Sequence, residues 1–302
     1  FYKIKKDDIF LKSKKIQKQK LESNIKLSDI LDSLVVNDQL YISVAKNIDN
    51  CEKLFIYRST INEINDNLNF KVLKEFQECA NKIGAGRMQP FNFKSEEGLL
   101  ISTGRRGIGG DRDDMGNFAQ DDKSIFGKIL FVNLNSSDYF IFSKGFRNTQ
   151  GLFVDENKIL STDHGPKGGD ELNEILFNQN YGWPISSYGE AYVRKDIKYK
   201  KSHSQYGFKE PIFSFTPSIG ISELYLVPDD FSEKWQNSIL ITSLNGKAIY
   251  RLQFQSKNYK KIVYSEPIYI GQRIRDIKYL KQNKTFLIAL ETLGELGVLR
   301  KK

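Results

Sequence analysis

The most constraining feature of this sequence is a recurring pattern: an apolar segment of strand length, a polar turn, and a second apolar segment that ends in a small or polar residue. The sequence contains five copies, which read LVVNDQLYISVAK, FNFKSEEGLLISTG, GLFVDENKILSTDHG, LYLVPDDF…NSILITSL and IKYLKQNKTFLIALE. Turn-forming Gly, Asn, Asp and Pro residues separate the segments, and amphipathic helical periodicity is scarce. The pattern therefore predicts an all-β chain of antiparallel hairpins.

Successive copies begin about 50 to 70 residues apart, the interval expected for four-stranded propeller blades. We predict a single β-propeller domain over residues 1–302, with six four-stranded antiparallel blades. The first blade would be slim or completed by the C-terminal strands. A β-sandwich is the alternative, but it would not explain why the copies end in similar loops. In a propeller, the segments TGRRG, DHGPKGG, SLNGK and ETLGE would meet at one mouth of the channel.

Composition excludes several other classes of protein. Two Cys and two His are too few for a disulfide-rich scaffold or a Cys/His metal cluster. No apolar run approaches the ~20 residues of a membrane-spanning helix, so we expect no membrane span.

The net charge of +9 resides in the termini, since residues 1–20 hold eight Lys against two Asp and the last three residues are basic. A nucleic-acid-binding protein would spread positive charge along a face, so we expect no such partner.

The densest group of potential ligand-binding residues lies at 145–184, where the sequence reads GFRNTQGLFVDENKILSTDHGPKGGDELNEILFNQNYGWP. Its many glycines would let backbone groups approach a ligand closely. The adjacent carboxylates of Asp170 and Glu171, beside exposed carbonyl groups, suit a hard cation such as Ca²⁺, which prefers oxygen ligands.

This segment resembles the soluble pyrroloquinoline-quinone (PQQ)-dependent aldose dehydrogenases, the glucose/sorbosone dehydrogenase family of six-bladed propellers. The resemblance is carried by RNTQGL, DHGPKGGDELN and NYGWP, and it continues through LITSLNGKAIYRL and GQRIRD. It covers residues 28–300, whereas residues 1–27 form a divergent basic segment. The resemblance implies an exported, periplasmic oxidoreductase that acts on a small-molecule sugar with PQQ and Ca²⁺ as cofactors.

The resemblance also implies a cofactor-binding set. Arg147 and Asn148 would hydrogen-bond a quinone oxygen. Arg273 and Arg275 alternate along one predicted strand, so they would point the same way and pair with carboxylates of the cofactor. Asn245 stands where the family has a cofactor-binding lysine.

Two Ca²⁺ positions are implied in the same way. The backbone carbonyls of Gly165 and Pro166 would hold an ion that bridges to the cofactor. Glu171 and the backbone of Tyr181 would hold a second, structural ion.

One departure from the family bears on catalysis. The family's general base is a histidine, and the matching position here is Ile83, which cannot accept a proton. His164 is retained, and we expect it to orient its loop rather than to replace the base. Three hypotheses therefore stay open: a sugar dehydrogenase with weakened or lost catalysis, a non-catalytic propeller that keeps Ca²⁺ and a ligand pocket, and a purely structural propeller.

The two cysteines lie in segments that flank an Asn- and Asp-rich turn, CEKLFIYRS and FKVLKEFQEC. They predict an antiparallel hairpin centred near residue 65, in which opposed residue numbers sum to 130. That register places Cys51 opposite Cys79, close enough for a disulfide. Two unrelated buried thiols are the alternative. A disulfide would favour an oxidising compartment.

Overall fold

The computed structural model describes residues 2–4, 18–26, 29–61, 67–106, 117–155, 158–193 and 196–301. Within these ranges the secondary structure consists of β-strands and four short 3-10 turns, without an α-helix. No helical segment in them has the length and apolar character needed to traverse a bilayer.

The strands are numbered in chain order, and their bounds are β1 (Tyr2–Ile4), β2 (Lys18–Lys20), β3 (Glu22–Ser23), β4 (Asp29–Val36), β5 (Gln39–Ile48), β6 (Cys51–Thr60), β7 (Asn67–Leu68), β8 (Lys71–Ala80), β9 (Ile83–Phe93), β10 (Glu96–Arg106), β11 (Lys128–Asn133), β12 (Tyr139–Lys144), β13 (Thr149–Asp155), β14 (Lys158–Asp163), β15 (Asp170–Glu174), β16 (Phe213–Phe215), β17 (Ile221–Leu226), β18 (Ser238–Ser243), β19 (Ala248–Phe254), β20 (Ile262–Tyr269), β21 (Ile274–Leu280), β22 (Thr285–Leu290) and β23 (Glu295–Arg300). The 3-10 turns are Asn117–Ala119, His203–Tyr206, Glu233–Trp235 and Lys281–Asn283.

The chain divides into two compact units, residues 1–80 and 81–302. In the first unit, β4, β5, β6 and β8 form a four-stranded antiparallel sheet in that order, which is named blade 1. Two short pairs accompany it, antiparallel β1–β2 and parallel β3–β7. The core of this unit is apolar and includes Ile42, Val44, Phe55 and Tyr57.

The predicted disulfide is confirmed. Cys51 in β6 and Cys79 in β8 are bonded, with their Cα atoms 5.7 Å apart. The predicted register holds in the middle of the strand pair, where Phe55 lies opposite Glu75, but a bulge shifts it so that Lys53 lies opposite Cys79. The two cysteines are therefore diagonal neighbours, which still meets the distance requirement of a disulfide. The centre of the predicted turn, at residues 62–66, lies outside the described residues.

The second unit contains four antiparallel sheets. Blade 2 has the strand order β12-β11-β10-β9, blade 3 has β13-β14-β15-β16, blade 4 has β17-β18-β19-β20, and blade 5 has β21-β22-β23. Consecutive blades share an apolar core; for example, Leu100 and Phe131 of blade 2 cluster with Leu152 and Ile159 of blade 3. These small antiparallel sheets are the blades of an all-β propeller.

The five predicted copies of the sequence pattern coincide with the first hairpins of the five blades: β4–β5, β9–β10, β13–β14, β17–β18 and β21–β22. The prediction of six blades is wrong, because the described residues form five, and the last of these has three strands. Residues 1–27 contribute only two- and three-residue strands within their described part, and these strands form no further blade. A single domain over residues 1–302 stays a prediction.

One guanidinium connects the first strands of all four blades in the second unit. Arg87 of β9 is buried. Its Nε donates to the Gln150 carbonyl of β13 at 2.8 Å, and its Nη1 donates to the Asp276 carboxylate of β21 at 2.6 Å. Nε also lies 3.3 Å from Oε2 of Glu223 in β17. Charged hydrogen bonds thus fix the inner strands relative to one another.

Candidate functional site

A cavity of about 500 Å³ lies in the second unit, where loops of blades 3 and 4 meet. Its walls are formed by Arg147, Asn148, His164, Gly165, Asp170, Tyr192, Ser218, Gly220, Leu244, Asn245 and Arg273. Five residues predicted from the sequence to bind cofactor or metal therefore share this cavity, namely Arg147, Asn148, Gly165, Asn245 and Arg273. The remaining predicted residues, Pro166, Glu171, Tyr181 and Arg275, are not part of its lining.

The Asp163 carboxylate organises the wall at Arg147 and Asn148. It accepts the backbone N–H groups of both residues, at 2.9 Å and 2.7 Å, and the Thr149 hydroxyl at 3.2 Å. Burial, followed by the negative charge of Glu171, raises the pKa of Asp163 to about 7, although the backbone N–H groups act in the opposite direction. Asp163 begins the DHGPKGGDELN motif, but no role was predicted for it from the sequence.

The Arg147 side chain is a rigid positive group at the edge of the cavity. It is buried, with its guanidinium carbon 5.4 Å from the centre of the Trp183 ring, a cation–π distance. Its Nη1 donates to the His164 carbonyl at 3.3 Å. Burial lowers the pKa of Arg147, and the charge of Asp163 opposes this shift. The guanidinium stays charged at any ordinary pH.

Asn148 and His164 in the cavity wall each have a buried polar atom without a hydrogen bond in the described part of the chain. Among the described residues, Oδ1 of Asn148 and Nε2 of His164 are buried without a hydrogen bond. Gly84 and Gly104 pack against the Asn148 amide so closely that a Cβ at either position would lie 2.8 Å or 2.3 Å from Oδ1. Burial lowers the pKa of His164, against the attraction of Asp170, so the ring is a neutral imidazole. Unsatisfied buried polar atoms are uncommon in folded proteins and mark this part of the wall as a candidate functional site.

Asp170 braces the opposite wall. Its Oδ1 accepts from the Gly165 N–H at 3.1 Å and the Ser218 hydroxyl at 2.9 Å, and its Oδ2 accepts from the N–H groups of Ile219 and Ile221 at 3.0 Å each. The carboxylate is almost fully buried. With four donors it is saturated by the protein, so its role is to fix the loops rather than to bind a cation.

The Gly165–Pro166 turn presents backbone oxygens rather than carboxylates. The Pro166 carbonyl accepts from the hydroxyls of Tyr192 at 3.2 Å and Ser218 at 3.4 Å. A Cβ on Gly165 would lie 2.2 Å from the Gly169 carbonyl, so only glycine fits there. In the described part of the chain, no group of three or more Asp, Glu, His or Cys side chains could hold a metal. An ion at this turn would depend on carbonyl oxygens and on atoms of a bound ligand.

Both predicted carboxylate-binding arginines reach one acidic residue of this chain. Nη2 of Arg273 lies 3.5 Å from Oε1 of Glu291, and Nη2 of Arg275 lies 2.8 Å from its Oε2. Arg275 also donates to Oε1 of Gln150 at 3.2 Å. Glu291 belongs to the ETLGE segment that was expected to lie at the mouth, but sequence analysis did not foresee this contact.

Glu171 and Tyr181, predicted to bind a second cation, lie together around the imidazole of His203. We name Glu171, Tyr181 and His203 the histidine cluster. Nε2 of His203 lies 3.1 Å from Oε1 of Glu171, and the ring also meets the Tyr181 backbone. Neither ring nitrogen makes a hydrogen bond of good geometry to a described residue, so the contact with Glu171 is an electrostatic one. Burial alone would lower the pKa of His203, but Glu171 and Glu210 outweigh it and raise the pKa.

Ile83 is 2% exposed and begins β9. Its side chain is not part of the cavity lining, although the next residue, Gly84, touches Asn148. The position matched to the family's general base therefore carries an apolar side chain inside the protein.

Comparison with known proteins places these features in a family. The family model described as Glucose / Sorbosone dehydrogenase matches residues 29–298. The chain is 31% identical over 219 residues to the uncharacterized protein slr1608 of Synechocystis sp., covering 67% of this chain and 52% of that protein. It is 30% identical over 170 residues to the aldose sugar dehydrogenase YliI of Escherichia coli, covering 55% of this chain and 45% of that protein. The chain thus spans about half the length of these curated relatives.

Solved structures share the fold at lower identity. A crystal structure of glucose dehydrogenase superimposes with a TM-score of 0.77 and 22% identity, covering 95% of this chain and 86% of that chain. The PQQ-bound form of aldose sugar dehydrogenase from Streptomyces coelicolor superimposes with a TM-score of 0.62 and 20% identity, covering 87% and 75%. Because the family model spans nearly the whole chain, this protein belongs to the glucose/sorbosone dehydrogenase family.

Proposed function

We propose that this protein binds PQQ together with Ca²⁺ in the 500 Å³ cavity, and that its oxidation of sugars is weak or lost. The observation that carries the proposal is the wall that combines Arg147, Arg273 and the side-chain amide of Asn148. A planar quinone with three carboxylates needs cationic groups at its rim and a hydrogen-bond donor at its carbonyl oxygens, and this wall supplies both.

The chemistry of these residues supports quinone binding. When bound, the quinone supplies a two-electron acceptor for an alcohol. Arg273 would attract its carboxylates, and Arg147 and the Asn148 amide would hydrogen-bond and orient its reactive carbonyl. Asp163 keeps Arg147 and Asn148 in place, because it accepts both of their backbone N–H groups. Pre-organised donors of this kind do not have to move when the ligand arrives.

Ca²⁺ fits the Gly165–Pro166 turn on the chemistry of its donors. The turn offers carbonyl oxygens, the ligand type that Ca²⁺ takes, and the ion requires 6 to 8 of them. The rest of the shell would come from ligand and water. The hydroxyls of Tyr192 and Ser218 now bound to the Pro166 carbonyl would have to turn away.

Catalysis is expected to be impaired because a proton must leave the sugar hydroxyl as hydride departs. At position 83 the family uses a base, and the buried Ile83 offers none. Loss of a general base typically costs ~10²- to 10⁴-fold in rate. The neutral imidazole of His164 lines the cavity, but its loop is fixed around Asp170 and Arg147.

The test is a titration of the purified protein with PQQ in the presence of Ca²⁺, followed by addition of an aldose. We expect saturable quenching of protein fluorescence and, after sugar addition, reduction of the quinone ~10²- to 10⁴-fold slower than in the E. coli relative assayed in parallel. Arg273→Ala should weaken PQQ binding about 10-fold or more, since a charged hydrogen bond contributes ~1.5–3 kcal/mol. Arg58→Ala, at an exposed arginine of blade 1, is the matched control.

The outcomes separate three functions. Binding with slow reduction supports the proposal. Binding without reduction identifies the second candidate, a non-catalytic ligand-binding module, which the apolar side chain of Ile83 favours. Absence of binding overturns both and leaves a structural propeller.

An exported location is proposed on the Cys51–Cys79 disulfide, because such bonds persist in oxidising compartments.

A further inference from the structure

We propose that His203 takes the place of a second cation in this chain. Its imidazole fills the space between the Glu171 carboxylate and the Tyr181 backbone, so the protein binds no ion there, and removal of the ring would create a Ca²⁺ site. The residues predicted for the structural ion therefore do not fit a metal in this protein.

The first argument is occupancy. His203 is 1% exposed, and its Nε2 lies 3.1 Å from Oε1 of Glu171. Ca²⁺ binds oxygen at about 2.3–2.6 Å, so an ion on that side of Oε1 would lie within ~1 Å of the ring nitrogen. The remaining cavity in the cluster is only about 10 Å³. That is the lower limit for one water molecule, far below the space for a shell of six or more oxygens.

The second argument is that the backbone is shaped around the ring. Gly182 has a φ of +93°, a conformation that favours glycine. A Cβ at this position would lie 3.0 Å from Nδ1 of His203 and 2.9 Å from the Phe208 ring. The residue after Tyr181 thus leaves room for the imidazole by having no side chain.

The third argument is that the ring is held in place from behind. His203 begins a 3-10 turn in which Glu210 accepts the Ser204 N–H at 2.8 Å and its hydroxyl at 2.9 Å. Glu210 also accepts the Tyr188 hydroxyl at 2.7 Å, and the Tyr188 ring lies 5.1 Å from the imidazole. Swinging His203 out to admit an ion would break this arrangement.

The ring also meets the electrostatic need that an ion would meet. Glu171 is buried, and a buried carboxylate without a partner is strongly unfavourable. Its Oε2 accepts from Asn173 at 3.3 Å, and its Oε1 faces His203. Arg147 also lines the residual cavity, so a positively charged guanidinium lies where a cation would have to enter.

The test counts Ca²⁺ bound per chain by equilibrium dialysis. His203→Ala should bind one more ion than the wild type, whatever number the wild type binds. His203→Ala combined with Glu171→Gln should return to the wild-type number. In His203→Ala, added imidazole should compete with Ca²⁺ for the site. Either ligand should raise the melting temperature of this variant. Imidazole should leave the melting temperature of the wild type unchanged.

Equal ion counts in the wild type and His203→Ala would overturn the proposal. If that variant does not fold, Glu171→Gln with His203 intact still decides: it should bind as many ions as the wild type, and loss of one ion would mean that Glu171 already binds a cation. The difference between variants does not depend on PQQ, so the inference stands or fails independently of the proposed function.

Discussion

The cavity and the histidine cluster lie side by side in sequence, yet they differ in the space that they leave for a ligand. Asp170 braces the cavity wall, and the next residue, Glu171, belongs to the cluster. Within the described residues, both regions contain buried polar atoms without a hydrogen bond, on Asn148 and His164 in the cavity wall and on His203 in the cluster, but the cavity leaves about 500 Å³ and the cluster about 10 Å³. A ligand is therefore expected where polar residues line open space, not where carboxylates are most concentrated.

The largest effect should come from removing the brace of the cavity. Asp170→Ala leaves two buried and two partly buried donors without their acceptor, so we expect the free energy of unfolding to fall by ~3–5 kcal/mol. Urea denaturation measures it. Asp138→Ala, at an exposed carboxylate, should change it by less than ~0.5 kcal/mol. Equal losses in the two variants would show that Asp170 does not brace the wall.

The disulfide of blade 1 lies in neither the cavity wall nor the histidine cluster. Its removal should therefore change the stability of the protein without changing ligand binding. Replacing Cys51 and Cys79 by Ala opens a loop with a sequence separation of 28 and should lower the free energy of unfolding by roughly 3–4 kcal/mol. PQQ affinity under native conditions should not change. Chemical denaturation and a PQQ titration of the same preparation check both statements, and a parallel loss of affinity would contradict the second.

The stabilisation that Glu210 gives to the histidine cluster should depend on pH. Burial would raise the pKa of Glu210, but hydrogen bonds from Ser204 and Tyr188 outweigh it, so the pKa is lowered. A lowered pKa means that the carboxylate stabilises the fold above its ordinary pKa of 4.5 and loses this contribution as the pH falls. Glu210→Gln should therefore cost ~1–2 kcal/mol at pH 7, and this cost should shrink as the pH falls below 4.5.

Urea denaturation of Glu210→Gln across this pH range is the measurement. Glu190→Gln is the matched control, because Glu190 is exposed and pairs only at the surface with Lys201, 2.9 Å away. Such a pair contributes ~0–1 kcal/mol. If Glu210→Gln lowers the free energy of unfolding by the same amount from pH 3 to pH 7, the lowered pKa of Glu210 is refuted.

The smallest effect concerns the mouth of the cavity. Glu291→Gln frees Arg273 and Arg275 from an acid that competes with ligand carboxylates. Since partly exposed ion pairs contribute ~0.2–1 kcal/mol, PQQ should bind about 1.5- to 5-fold more tightly. Fluorescence titration measures the affinity, with Glu266→Gln, which breaks the Arg251 pair elsewhere, as the control. Weaker binding in Glu291→Gln would mean that Glu291 positions the arginines rather than competing for them.

Much of the fold could be predicted because hairpins are local. Each copy of the sequence pattern joins strands that are neighbours in the chain, so alternating apolar residues and turn signals define them. The number of blades was wrong because a sixth blade was predicted although the sequence pattern supplied five copies, one for each observed blade. The bulge between β6 and β8 was also missed, since an extra residue in one strand leaves no mark in residue type.

The site could be predicted only in part, for a similar reason. Arg147, Asn148 and Gly165 lie within one contiguous motif and were found together. His203 was missed because it lies in the long segment between β15 and β16, which returns to Tyr181 by a path that no sequence spacing specifies. Glu291 was missed because pairing between charges from different loops depends on tertiary structure.

The contacts of Arg87 have a consequence for how the second unit unfolds. Its guanidinium joins partners 63 and 189 residues away along the chain, and those partners stand on the inner strands of separate blades. Closing such distant contacts requires ordering the chain between them, so they stabilise the assembled set of blades rather than any single blade. A blade that came loose would leave a buried guanidinium or carboxylate without its counterion, a penalty carried by its neighbours. The four blades therefore gain or lose their structure together, as one cooperative element rather than as four independent sheets.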